Sequence, residues 1–228
     1  MGYVLAIGDR SYSSWSLRGW LAFDPFGLPV ETRAARLYTD ELPALLRDFP
    51  PARTVPALRC PDGAVVMDSL GIAEEVASRH PDGGLLPEDP RARAVARSLM
   101  AEMHAGFRAL REQCPMNLRV SYAASPMTDA LRADLDRLEA VWAWAREAAG
   151  GGGGPWLCGA YSLADAFYAP VASRVATYNL ALSGAAMAYV EAHLAHPSFL
   201  RWRADGLGEG PDQESYRRDF PTRPWPGP

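Results

Sequence analysis

The amino-acid sequence predicts an α+β domain with a mixed four-stranded sheet, followed by an all-α helical domain. Three observations carry this expectation. Short apolar runs and amphipathic segments alternate through residues 1–80 in the order βαβ–α–ββα. A cluster of breaker residues, His80-Pro81-Asp82-Gly83-Gly84, then interrupts the pattern. Beyond it, apolar residues recur at the three-to-four-residue spacing of helices.

Taken in order, residues 3–7 read as a first strand and 8–11 as a loop. Residues 13–23 read as a helix that buries Trp15, Trp20, Leu21 and Phe23. Pro25 to Pro29 make a turn, 30–37 a second strand and 41–49 a short helix. Ala57 and Leu58 form a short strand, Pro61-Asp62-Gly63 a turn and 64–67 the fourth strand; Asp68-Ser69 then opens a helix reaching about residue 80. These elements place a first domain at 1–80, a linker at 81–89 and a helical domain at 90–228. Asp89-Pro90 is a good helix start, with Asp as N-cap and Pro at the first helical position. Val95, Leu99, Met103, Phe107 and Leu110 give that helix an apolar face as far as about residue 112. Leu131, Leu135, Leu138, Val141 and Trp142 do the same for a helix over 129–149. Gly150 to Gly154 reads as a flexible connection. Ser162-Leu163-Ala164-Asp165 is a capping-box pattern opening a further helix. The tail after Arg203, with five prolines, is expected to lie extended over the surface.

Composition narrows the function. With 228 residues the chain is long for one domain and short for three. It is 48% hydrophobic and 22% charged, the balance of a globular protein. All 23 basic residues are Arg, which fits codon usage rather than chemistry, and the net charge of −4 argues against a nucleic-acid or anionic-membrane partner. Cys60, Cys114 and Cys158 are odd in number and lack CxxC spacing; neither a disulfide framework nor a zinc site is expected, and a reducing, cytoplasmic setting fits. No secretory signal is read at the start, since residues 1–7 lack a basic region. The longest apolar stretch, 163–190, is broken by Asp165, Pro170 and Arg174, so no membrane span is expected.

Two motifs carry the chemistry. Pro56 stands at the mouth of a strand and has no N–H, which leaves Val55 to offer its own backbone groups to something other than a neighbouring strand. The Asp68-Ser69 helix start aims N–H groups and a positive dipole end at the same space, which suits a carboxylate. Thr54-Val55-Pro56-Ala57-Leu58 with Asp68-Ser69-Leu70-Gly71-Ile72-Ala73 resembles the glutathione-binding half of a thioredoxin-like glutathione transferase domain. Arg10-Ser11-Tyr12-Ser13-Ser14-Trp15-Ser16-Leu17-Arg18 is similar to the serine-rich helix start of the zeta class. Leu86-Pro87-Glu88-Asp89-Pro90 resembles the family's entry to its helical domain, and Trp156-Leu157-Cys158-Gly159 before Ser162 resembles its buried capping box. Met103-His104-Ala105-Gly106-Phe107, Arg111 and Pro115-Met116-Asn117 resemble a bacterial zeta-like group.

The resemblance implies a homodimer that takes glutathione as co-substrate, with no metal. It implies that Ser69 holds the γ-glutamyl carboxylate and Asp68 the ammonium group. Val55 would pair with the cysteinyl backbone beside a cis Pro56, and Arg53 would meet the glycyl carboxylate. Ser11 aligns with the zeta catalytic serine, and Ser13 stands where isomerase members carry a cysteine; Ser14 and the Tyr12 hydroxyl are the alternatives. Tyr12, Met103, Phe107, Arg111, Met116 and Arg174 are candidates for the electrophile pocket, with Arg111 suited to an acidic substrate. A free thiol near pKa 8.5 needs about 2.7 kcal/mol of differential stabilisation to drop by about 2 units. A serine hydroxyl donating to sulfur supplies about 1.5–3 kcal/mol and a helix N-terminus about 0.3–1 kcal/mol. Three readings follow from the resemblance: a transferase attacking a small electrophile, a glutathione-dependent isomerase of the maleylacetoacetate type, and a non-catalytic glutathione-binding or regulatory protein.

Overall fold

A computed structural model of the chain describes residues 2–150 and 153–227; Met1, Gly151, Gly152 and Pro228 fall outside the described residues, and with them part of the glycine run read as a flexible connection. The first strand, β1 (Tyr3–Gly8), is buried along its whole length. It pairs in parallel with β2 (Val30–Ala35) and antiparallel with β3 (Ala57–Arg59), which pairs antiparallel with β4 (Val65–Met67). The sheet order is β2-β1-β3-β4. Successive β1 side chains point to opposite faces. Val4 and Ala6 join Leu46, Phe49 and Ala57 in a small core on the side of α2 (Glu41–Leu46). Leu5 and Ile7 enter a larger core, continuous with the helical part, under α1 (Ser14–Leu21) and α3 (Ser69–Arg79).

The remainder is helical: α4 (Pro90–Ala105), α5 (Arg108–Gln113), α6 (Asp129–Ala148), α7 (Leu163–Tyr178), α8 (Gly184–Leu194) and α9 (Pro197–Gly208). The Asp89 carboxylate accepts the Ala92 N–H at 2.7 Å, as its N-cap position predicts. One difference from the sequence reading is a break after Ala105, where a single helix to residue 112 was expected. Phe107 has φ +60°, and a Cβ on Gly106 would lie 2.9 Å from the Glu102 carbonyl oxygen. The apolar spacing survives the break because α5 resumes it. The last carbonyls of α4 would otherwise be orphaned. Arg111 caps them, donating to Gly106 at 2.8 Å, to His104 at 3.2 Å and to Met103.

The tail also departs from expectation. Helix α9 continues to Gly208, past Arg203 where an extended tail was expected to begin, and Thr222–Arg223 forms a strand, β6, that pairs with β5 (Ser121–Tyr122); the segment between stays at the surface. No helix among the described residues is long and apolar enough to cross a membrane.

Helix α7 is buried on every side. Its Asp165 carboxylate accepts the Ser162 N–H at 2.9 Å, the Ser162 hydroxyl at 3.2 Å, the Leu157 N–H at 3.2 Å and the Tyr189 hydroxyl at 2.9 Å. Burial still pushes its pKa up to about 6. Nearby, His193 lies against Trp156 and Tyr189, and burial, aided by His196, drives its pKa down to about 3.

The fold therefore keeps His193 neutral where the unfolded chain, near the ordinary value of about 6.5, binds a proton. That preference favours the native state fully above about pH 6.5, and it is lost as pH falls towards 3 at up to about 1.4 kcal/mol per pH unit. Asp165, raised in the fold, works in the opposite sense between about pH 6 and 4. The His193 contribution is therefore read as a difference between wild type and His193→Phe. Urea unfolding from pH 7 to 4 should show the wild type losing stability more steeply; parallel curves would contradict the assignment.

Candidate active site

The loop between β1 and α1 presents four hydroxyls in a row, and each meets different partners. Ser11 is outside the cleft, bound to the helical part: its hydroxyl donates to the Gly206 carbonyl at 2.9 Å and accepts from Arg119 Nε at 3.2 Å. The Tyr12 ring lines a cleft, while its hydroxyl donates to Asp212 at 3.3 Å and accepts the Gln213 N–H at 3.2 Å. Burial raises the Tyr12 pKa, so that hydroxyl keeps its proton. Ser13 is the N-cap of α1, accepting the Ser16 N–H at 3.3 Å and donating to the Ser16 hydroxyl at 2.7 Å. Ser14 accepts from Arg174 Nη2 at 3.3 Å, and its own hydrogen meets no acceptor among the described residues. Ser14 is thus the hydroxyl left able to donate into the cleft.

That cleft has a volume of about 420 Å³. Tyr12, Ser13, Ser14 and Trp15 form one wall, Thr54 and Val55 the floor, and Arg111, Met116 and Arg174 the helical side. A second cavity of about 220 Å³ shares Trp15, Thr54 and Val55 with it and extends to Pro56, Asp68 and Ser69. The two adjoin at these shared residues, one lying at the N-terminus of α3 and the other at the N-terminus of α1, and together are termed the groove. The Val55–Pro56 bond is cis. Asp68 is the N-cap of α3, with φ +70°, a backbone region costly for a non-glycine residue. Its carboxylate accepts the Leu70 N–H at 2.7 Å and lies 3.6 Å from His104 Nε2. Ser69 is fully buried, and its hydroxyl has no partner among the described residues.

Two arginines, Arg111 and Arg174, line this groove, and a third, Arg18, is buried outside its lining. Arg174 donates to the carbonyls of Cys114 at 2.9 Å and Pro170 at 3.2 Å besides Ser14, and burial lowers its pKa to about 10. The Arg111 guanidinium lies 4.8 Å from the Trp15 ring centre, and burial lowers its pKa too. Arg18 is enclosed between Trp15 and Phe167, donates only its Nε, to the Phe167 carbonyl at 3.1 Å, and has both terminal nitrogens unpartnered among the described residues.

The groove brings together Tyr12, Ser13, Ser14, Val55, Pro56, Asp68, Ser69, Arg111, Met116 and Arg174. Four expected residues are elsewhere. Ser11 is committed to α9, as described. Arg53 is exposed and outside both cavities. Met103 and Phe107 are buried in the larger core. Sequence reading missed Tyr38 and Tyr216, which close the rim with their hydroxyls 3.1 Å apart; Tyr216 also lies 4.9 Å from the Tyr12 ring. No local pattern marks a tail tyrosine for a site on the first domain. Burial raises the thiol pKa of Cys114 and Cys158 to about 12, so neither forms a thiolate at neutral pH.

Residues 12–79 match the family model described as the glutathione S-transferase N-terminal domain. A probable maleylacetoacetate isomerase of Caenorhabditis elegans is 36% identical over 101 residues, 44% of this chain and 46% of that protein. Protein IN2-1 of Zea mays is 28% identical over 168 residues, 73% of this chain and 63% of that protein. The chain thus spans about half to three-fifths of the length of these curated relatives. Among solved structures, a glutathione transferase homolog from Burkholderia GL BGR1 with bound glutathione superposes with a TM-score of 0.67, at 21% identity, over 92% of this chain and 100% of that one. Glutathione transferase Omega 3C from Trametes versicolor gives 0.66, at 21% identity, over 89% of each chain. These structural likenesses establish the fold. Residues 12–79 carry the match to that family model, and the described chain has the fold of these glutathione transferase structures.

Because Ser11 is tied to α9, Ser11→Ala should cost about 1–2 kcal/mol of stability, from the lost bond to Gly206 and the unpartnered Arg119 Nε; the Gly206 carbonyl keeps its bond from Arg119 Nη2. Activity per folded molecule should be retained. A stable variant with lost activity, measured by urea unfolding beside turnover, would restore Ser11 to the site.

Proposed function

We propose that the protein is a serine-type glutathione transferase in which the Ser69 end of the groove holds glutathione and Ser14 activates its thiol. The observation that carries this reading is the Ser69 hydroxyl, fully buried and unpartnered at the first turn of α3. Leaving such a group unsatisfied costs about 1–3 kcal/mol, which a bound carboxylate offsets by accepting its hydrogen bond beside the helix N-terminus. The γ-glutamyl carboxylate fits there, with Asp68 facing the ammonium group. Val55 then offers backbone groups to the cysteinyl residue, which directs the thiol along the groove towards Ser14.

The reaction needs the thiol proton to leave to water and the thiolate to persist. Ser14 donates its hydrogen to the sulfur, at the start of α1 where the helix dipole adds to the effect. The sulfur lone pair then forms a bond to an electrophilic carbon. In a substitution the leaving group departs with its bonding pair; in an addition the carbanion takes a proton from water. The rim formed by Tyr12, Tyr38, Met116 and Tyr216 suits a small, partly apolar electrophile. In this reading the protein is a two-domain cytoplasmic homodimer divided at 81–89.

A second reading, a glutathione-dependent isomerase, is favoured by the likeness to proteins described as maleylacetoacetate isomerases in Caenorhabditis elegans and Mus musculus. The serine at position 13, where isomerase members carry cysteine, speaks for the transferase. Glutathione consumed mole for mole with product supports transfer; glutathione returned unchanged supports isomerisation.

Ser69→Ala should weaken glutathione binding by about 1–3 kcal/mol while the fold survives, as calorimetry would measure. Unchanged affinity would move the γ-glutamyl end elsewhere. Ser14→Ala should leave binding in place and raise the pKa of the bound thiol by about 1–2 units, read from thiolate absorbance against pH. If the bound thiol in the wild type titrates like free glutathione, the non-catalytic reading holds instead.

A further inference from the structure

Arg174 carries a positive charge that the protein leaves uncompensated. It is buried on α7, and its contacts are two carbonyl oxygens and the Ser14 hydroxyl. The charged and titratable groups bearing on it are Arg111 from α5, Cys114 from the segment after α5, Tyr178 from its own helix and Tyr216 from the tail, with Arg18 of α1 close enough to be influenced by it. None is a carboxylate. Carbonyls satisfy the N–H groups of a guanidinium without neutralising its charge, and a buried cation without a counter-ion is costly to keep. Its pKa, lowered to about 10, still leaves it cationic at neutral pH. An anion in the cleft is the missing partner.

The neighbouring cations do not make the same contact. Arg111 spends its hydrogen bonds on the end of α4, and Arg18 is enclosed between aromatic rings. Arg174 alone among the three touches a hydroxyl of the α1 loop. Its N–H occupies an oxygen lone pair of Ser14, which orients the serine hydrogen away from Arg174 and strengthens it as a donor. The charge itself adds attraction for an anion held on the far side of Ser14.

We infer that Arg174 is the positioning residue that, through Ser14, sets the acidity of the thiol bound in the cleft. This rests on the glutathione reading above. It moves Arg174 from the electrophile pocket, where the sequence put it, to the activation of the nucleophile.

The test compares wild type, Arg174→Met, Arg174→Lys and the Ser14→Ala/Arg174→Met double variant. The thiol pKa of bound glutathione is followed by thiolate absorbance, and calorimetry measures the affinity for S-methylglutathione, which has no thiol to ionise. Arg174→Met should raise the thiol pKa by about 1–2 units, and Arg174→Lys, which keeps the charge, by less. Turnover of Arg174→Met at pH 6.5 should fall about 10- to 100-fold and recover near pH 9, because each unit of pKa removes tenfold of the thiolate. S-methylglutathione should bind all folded variants as it binds wild type. The double variant should raise the pKa by less than the two single changes summed. If Arg174→Met fails to fold, Arg174→Lys decides alone: a raised thiol pKa supports the inference and a wild-type value overturns it. A wild-type thiol pKa with a raised KM for an anionic electrophile would assign Arg174 to that substrate's carboxylate and overturn the inference, leaving the glutathione reading intact. Failure of wild-type protein to bind S-methylglutathione would overturn both.

Discussion

Helix α7 has no solvent-facing side, so each charged group on it must find its partners inside the protein. Asp165 meets this demand with four donors gathered from the turn before the helix and from α8. Arg174 meets it with two carbonyls and the Ser14 hydroxyl. The Phe167 carbonyl reaches across to Arg18 of α1, whose guanidinium also lies 4.8 Å from Trp15 and 5.3 Å from Phe167. Helix α1 is therefore fixed against α7 at its middle by Arg18 and at its start by Ser14. The hydroxyl that faces the groove is held by the second domain, although it belongs to the first.

That arrangement explains why alignment alone does not separate these hydroxyls. Residues 11–14 are alike in sequence, and any could donate to a thiol. Their difference lies in partners contributed from far along the chain: Gly206 and Arg119 for Ser11, Asp212 and Gln213 for Tyr12, Arg174 for Ser14. Only the Ser13 assignment is local, since N-capping uses Ser16, three residues on. The Ser69 end of the groove was legible for the opposite reason. Val55-Pro56 and Asp68-Ser69 are short-range features, and their strand-mouth and helix-start geometry follows from proline and Asp-Ser chemistry alone.

The sheet was equally legible, because β1 is a continuous apolar run and the later strands are punctuated by Pro56 and Pro61-Asp62-Gly63. The break between α4 and α5 was hidden. Apolar spacing continues through it, and the turn depends on the left-handed Phe107 and on Arg111 capping the preceding carbonyls. The tail was hidden more thoroughly. Its prolines suggested an extended surface segment, yet Asp212, Gln213 and Tyr216 fasten it across the junction and supply the outer rim of the cleft. These are contacts over about two hundred residues of separation, beyond the reach of any window-based reading.

The measurement that bears most directly on this account is a crystal structure of the wild-type protein with glutathione bound. The γ-glutamyl carboxylate should lie on the Ser69 hydroxyl at the start of α3. The sulfur should lie within hydrogen-bond reach of Ser14, at about 3.5 Å or less, on the side away from Arg174. A sulfur resting on Tyr12 or Ser13, or a γ-glutamyl end bound away from Ser69, would contradict it.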